Sequence, residues 1–208
     1  MDVTAPAPNP VAPTVDVFGT TLEERVLLAA RDCIGAKGLR DTTVDDIAVA
    51  AGCGRASIYR LFPGGRRGLL LAMVHAEVEA LLEGLADTVD AAADLPTAVA
   101  EAVHAAASAL AVHPVLQRSL VEDPGSVLPY ISFDGAAPLY ARVAAWGRDH
   151  LARFVGPDDA EAVGEWAARI VLGHLHQPST RFDLTDPACV RHLVDAYLVP
   201  GVRAGALA

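Results

Sequence analysis

Thr42 to Arg67 reads TTVDDIAVAAGCGRASIYRLFPGGRR. Val44, Ile47, Ala48 and Ala51 share one face of a short helix, Thr43 stands where its N-cap belongs, and Asp45 and Asp46 fall in the first turn, where carboxylates complement the helix dipole. Gly52 ends that helix. After Gly52-Cys53-Gly54 a second short helix turns Ile58, Leu61 and Phe62 inward and Arg55, Ser57, Tyr59 and Arg60 outward, until Pro63, Gly64 and Gly65 stop it. Two short helices joined by a glycine-containing turn, the second bearing small polar and basic groups, are the helix-turn-helix plan for entering a major groove. Ala56 and Ser57 keep the leading face slim. Arg55 has the fork to bridge guanine O6 and N7, whereas Ser57, Tyr59, Arg60 and the helix start near Thr43 suit phosphate oxygens.

On the N-terminal side, Leu22, Val26, Ala29, Ala30, Cys33 and Ile34 lie on one face of a preceding helix, with Thr21 as N-cap and Gly38 as its stop. Residues 1–19 hold Pro6, Pro8, Pro10 and Pro13 without helical or strand periodicity and are expected to be a disordered arm. On the C-terminal side, the spacing predicts helices over about 66–92, 96–113, 115–121, 138–155, 158–176 and 187–198, with an irregular stretch from Asp123 to Gly135. Breakers such as Pro124, Gly125, Pro129, Gly156, Pro157, Pro178 and Pro187 separate them, and no run of strand formers exceeds a few residues. The expected fold is all-α, with a helix-turn-helix domain over 20–65 and a larger helical domain over 66–208.

The 208 residues are 52% hydrophobic, which excludes disorder as the overall description, and at this length a chain buries a core without staples. Cys33, Cys53 and Cys189 are odd in number and far apart, the usage of a reducing cytoplasm. The first 24 residues carry no Lys or Arg, so a secretory leader is not expected, and apolar stretches such as Leu69 to Val74 fall far short of the roughly 20 residues a membrane span needs. The net charge is −10, yet residues 20–70 carry eight basic against six acidic groups, while residues 71–208 carry eight against eighteen. The basic excess is sharpest from Arg55 to Arg67, where Arg55, Arg60, Arg66 and Arg67 meet no acid. Charge acts within about a Debye length, so this segment can face phosphate although the whole chain is acidic.

Glu24 to Val74, ERVLLAARDCIGAKGLRDTTVDDIAVAAGCGRASIYRLFPGGRRGLLLAMV, resembles the DNA-binding domain of the TetR (tetracycline repressor-like) family. The likeness rests on Arg25, the AA pair at 29–30, Gly38, TTV at 42–44, IA at 47–48, AG at 51–52 and SIYRLFPGG from Ser57. It implies that Thr42, Thr43, Arg55, Ala56, Ser57, Tyr59, Arg60 and Arg66 touch operator DNA, with Tyr59 as a phosphate anchor. Two departures stand out: Gly54 replaces a frequent capping Ser, and Leu61 replaces a frequent phosphate-binding His, which removes one contact. Gly64-Gly65 leaves the choice between Arg66 and Arg67 open, with Arg66 expected.

For the remaining two thirds the resemblance implies an effector pocket and a twofold interface. The aromatic residues expected to line the pocket are Tyr130, Phe133, Tyr140, Trp146 and Phe154, with the Glu122 to Gly135 stretch at its edge. An uncharged or amphiphilic effector is expected, because helices 66–113 are rich in Ala, Val and Leu and only Arg118, Arg142, Arg148 and Arg153 lie near. Val163, Trp166, Ala167, Ile170, Val171 and His174 form one stripe and Val190, Leu193, Val194, Tyr197 and Leu198 another. By resemblance these helices pair across a homodimer through Trp166, Ile170, His174, Val190, Leu193 and Tyr197, although the same stripes suit an intramolecular core.

Rival chemistries fare worse. His174, His176, Cys189 and His192 are metal-ligating residue types, but residues two apart point about 200° away on a helix, so no metal site is expected. No cysteine lies in a nucleophile motif, and Asp158, Asp159, Glu161 and Glu165 read as dipole-complementing carboxylates, so no catalytic residue or cofactor is expected. The expectation is a cytoplasmic, ligand-responsive regulator that binds double-stranded DNA as a homodimer, most simply a repressor, without membrane association. The alternative is a protein-binding adaptor with a weakened DNA-binding head, suggested by Gly54, Leu61 and the modest positive charge.

Overall fold

In the computed structural model, which describes residues 21–203, eleven α-helices follow one another with no strand among the described residues. The expected N-terminal arm lies outside that range. Helix α1 (Leu22–Lys37) starts on a capping box in which the Thr21 hydroxyl accepts from the Glu24 N–H and the Glu24 carboxylate accepts from the Thr21 N–H. Helix α2 (Val44–Ala50) repeats the device with Thr43 and Asp46, and α3 (Arg55–Leu61) follows after the turn. Gly52 occupies that turn at φ 65, a left-handed backbone open to glycine at little cost. Val26, Ala30, Val44, Ile47, Ile58, Phe62 and Leu69 close a core among these three helices and the start of α4 (Arg66–Ala91).

The larger core is built around α5 (Leu95–Val112), which Asp94 caps. This helix is long and apolar enough to cross a membrane by length and composition alone, contrary to the sequence expectation. Its composition has a structural use: Leu95, Ala98, Val99, Val103 and Ala106 are buried among α4, α8 (Ala137–Val155), α9 (Pro157–His176) and the last helices. Helices α8 and α9 cross at Gly147 and Gly164, where an added Cβ on Gly164 would stand 2.8 Å from the Val143 carbonyl oxygen. The last helical run passes through α10 (Pro187–Leu193), a π turn (Val194–Leu198) and α11 (Val199–Arg203). Buried Val190, Val194 and Leu198 recur at every fourth residue, a spacing that suits this wider turn.

The stretch expected to be irregular is ordered. After the expected short helix, α6 (Pro114–Glu122), Pro124–Ile131 forms α7 and Phe133–Gly135 a 3-10 turn. Pro124 occupies the first turn of α7, where its missing N–H costs nothing, so a breaker in the sequence serves as a helix start. Helix α7 joins a third core in which Ile34 and Leu39 meet Leu70, Val127, Ile131 and Leu139. The residues flanking the end of α1 therefore rest on the larger helical body.

Candidate nucleic-acid interface and effector cavity

The outward face of α3 is assembled by contacts on both sides. Arg55 donates to Asp45 Oδ2 at 3.1 Å and to the Tyr59 hydroxyl at 3.2 Å, with its guanidinium 5.4 Å from the Tyr59 ring centroid. Arg55 is thus held extended along the helix while remaining exposed. The Tyr59 ring lies over Gly65, whose φ is 62 and whose added Cβ would fall 2.7 Å from the ring. Glycine there lets the turn into α4 pass beneath the tyrosine. Ala56, Tyr59 and Arg60 are exposed and Ser57 is half-buried, so one surface presents all of them with Arg55.

Helix α2 is fixed against α1 by a 2.6 Å ion pair between Lys37 and Asp46. The Lys37 ammonium, followed by the Thr43 hydroxyl and N–H, holds the Asp46 carboxyl well below the usual carboxylate range. Thr43 is exposed at the start of α2.

Two expected DNA contacts need correction. Thr42 is only 3% exposed and its hydroxyl donates to the Gly38 carbonyl at 2.8 Å, so it shapes the loop before α2 and does not reach outward. Arg66 turns inward and donates to the Leu39 carbonyl. Its neighbour Arg67 is exposed and makes no ion pair among the described residues, so it is the arginine that the start of α4 presents to solvent. One residue along a helix is a rotation of about 100°, which the sequence could not orient across the Gly64-Gly65 turn. Leu61 packs against the core of the N-terminal helices, which explains an apolar residue there.

Behind this surface lies a cavity of about 430 Å³, within the range of small-molecule sites. Its walls come from α4, α5, α6, α7, α8 and α9, and from Ile34 and Leu39 beside the end of α1. Of the five aromatics, Tyr130 and Trp146 stand in its wall. The other three aromatics do not: Phe133 is 94% exposed on the 3-10 turn, Tyr140 lies under the Arg169 guanidinium at 4.4 Å, and Phe154 under that of Arg153 at 4.4 Å. Aromatic residue type did not distinguish a cavity wall from a platform for arginine. Sequence reasoning also missed the polar residues of the wall, Glu77, His113 and Ser119, because only the fold brings α4 to the α5–α6 junction.

Of the expected interface residues, Val190 is 0% exposed and belongs to the chain's own core. Trp166, Ile170, His174 and Leu193 are half-buried, and Tyr197 is 61% exposed.

Residues 26–73 match the family described as bacterial regulatory proteins, tetR family. Among solved structures, the chain is similar to the TetR family repressor AlkX from Dietzia sp. strain DQ12-45-1b, implicated in biodegradation of n-alkanes. The identity is 22%, the TM-score 0.71, and the match covers 86% of this chain and 96% of that one. It is also similar to FadR, a fatty acid degradation regulator from Bacillus halodurans, at 15% identity and TM-score 0.50 with the same coverage. No curated protein matches the sequence.

Proposed function

We propose that this chain, whose residues 26–73 match the tetR family of bacterial regulatory proteins and whose fold is similar to that of a TetR family repressor, is a ligand-responsive repressor. It acts in the cytoplasm on double-stranded DNA. In this reading residues 20–65 are the DNA-binding domain and the helices from α4 onward the regulatory one. A homodimer presents two copies of α3 to successive major grooves of a palindromic operator. Arg55 reads a base pair, while Thr43, Ser57, Tyr59, Arg60 and Arg67 hold phosphates. Trp166, Ile170 and His174 on α9 with Leu193 and Tyr197 near the chain's end supply the twofold contact.

The observation that carries the ligand response is the shared wall of the cavity: Ile34 of α1 and Leu39 of the loop after it line it together with Trp146 and Leu172 of the body. A small apolar molecule filling that space bears directly on the support of α1. Binding that favours one spacing of the two recognition helices disfavours the operator-bound spacing, and ligand and DNA then weaken one another by the same factor. Of the two similar proteins, one is implicated in biodegradation of n-alkanes and the other is a fatty acid degradation regulator, which agrees with an apolar effector.

The test is to incubate the purified protein with fragmented genomic DNA at moderate salt, recover the bound fragments and sequence them. An enriched inverted repeat, together with a dimeric mass in sedimentation, is the expected result. No enrichment over input would sink the repressor reading.

A further inference from the structure

Resting on the reading of the cavity as an effector site, the charge around it selects the class of effector. The lining includes no Lys or Arg. The arginines of α6 and α8 expected to be available to an anionic head are engaged elsewhere. Arg118 donates to the Gly35 and Ala36 carbonyls and pairs with Glu122, and Arg142 clasps Glu79 through two 2.6 Å hydrogen bonds. Arg148 pairs with Asp158 and Glu161, and Arg153 donates to the Val89, Asp90 and Ala92 carbonyls.

The ionisable side chains of the wall other than Tyr130 are Glu77 and His113. His113 Nδ1 accepts from the Leu116 N–H at 3.1 Å, which places the ring proton on Nε2, facing Glu77 Oε2 at 3.5 Å. That hydrogen bond comes first, and the charge of Arg31, 4.0 Å from Glu77 Oε1, adds to it in keeping the Glu77 carboxyl below its ordinary range against the opposing effect of burial. The Glu77 side chain is 35% exposed, whereas the interior wall at Leu82, Val99 and Val103 is buried. A fixed negative charge therefore stands where the apolar cavity meets water.

We propose that the cavity takes an apolar cation, a molecule with an alkyl body and an ammonium head, with Glu77 as the counter-ion at its mouth. The tail lies along the apolar wall, and the head joins Arg31, whose guanidinium stands 4.0 Å from Glu77 Oε1, as a partner of Glu77. A fatty-acid carboxylate of the same length would set like charge against Glu77 and find no Lys or Arg in the lining.

The experiment uses three probes of one chain length, dodecylamine, 1-dodecanol and dodecanoate, below their micelle concentrations. Trp146 fluorescence or calorimetry reads their affinities for the full chain. Dodecylamine should bind roughly tenfold more tightly than dodecanoate, the order expected when one half-exposed charge attracts one head and repels the other. Glu77→Gln should bring amine and acid together while dodecanol binding stays as it was. Glu79→Gln, which removes a carboxylate outside the cavity, should keep the preference, and circular dichroism of each variant confirms that it folds. Equal binding of the three probes, or preference for dodecanoate, would overturn the proposal while leaving the cavity reading intact. No binding of any probe would overturn both.

Discussion

At the residue scale, Arg55 is the residue on which the proposed reading of DNA turns. Asp45 and the Tyr59 hydroxyl occupy its donors, and in the proposed complex it exchanges the exposed Asp45 for a guanine edge. Arg55→Ala should cost about 1–3 kcal/mol on operators carrying the contacted base pair and little on others. Tyr59→Phe should weaken every sequence alike; binding to a panel of single-base operator variants separates the two. Equal loss on every DNA from Arg55→Ala would deny its reading role. Asp46 gives a prediction in pH. Its carboxyl is depressed by Lys37 and Thr43, so the stability it contributes is complete above the ordinary carboxylate pKa and is lost as pH falls toward the folded value. Asp46→Asn should melt below the wild type at neutral pH, with the gap narrowing below about pH 4. A gap independent of pH would mean that the carboxylate's charge is not what matters.

At the element scale, helix ends are tied by arginines from distant sequence. Arg118 of α6 donates to two carbonyls in the last turn of α1, satisfying groups that a helix terminus leaves open. It is the polar counterpart of the apolar contact between Ile34, Leu39 and α7. Arg118→Ala should leave operator and ligand affinities near wild type when each is measured alone, but reduce the factor by which one weakens the other, commonly about 5–150 in such systems. An unchanged factor would show that the signal travels without this tie. The crossing of α8 and α9 is set by Gly147 and Gly164, and a larger side chain meets backbone on the facing helix. Gly164→Val should destabilise by about 1–3 kcal/mol in urea denaturation.

At the scale of the molecule, an acidic body carries a weakly basic head. Residues 71–208 hold eighteen acids and eight bases, so long-range attraction to DNA is small and the contacts of α2, α3 and the start of α4 must carry binding. Arg67→Ala should reduce the slope of log affinity against log salt by about 1, whereas Arg66→Ala should loosen the Leu39 loop and leave the slope near its original value. The reverse pattern would return the phosphate to Arg66.

The N-terminal helices and their caps were legible in the sequence because the causes are local. Thr21, Thr43, Gly38 and Gly52 act on neighbours within about one turn, and the apolar spacing of Val44, Ile47 and Ala48 requires no knowledge of a partner. The all-α class followed from the same periodicity. The order of α7 was not legible, because Pro124, Gly125 and Pro129 signal a break until the contact of Val127 and Ile131 with Ile34 and Leu39 outweighs it. Nor could residue type place Phe133 outside the cavity, Val190 inside the chain's own core, or Arg66 on a carbonyl in place of its exposed neighbour Arg67. Sequence by itself determined which segments are helices and which faces are apolar, since those follow from interactions a few residues long. Tertiary structure alone decided which apolar face meets which, and so set the cavity, its single carboxylate and the tie to α1, because those depend on residues far apart in the sequence meeting in space.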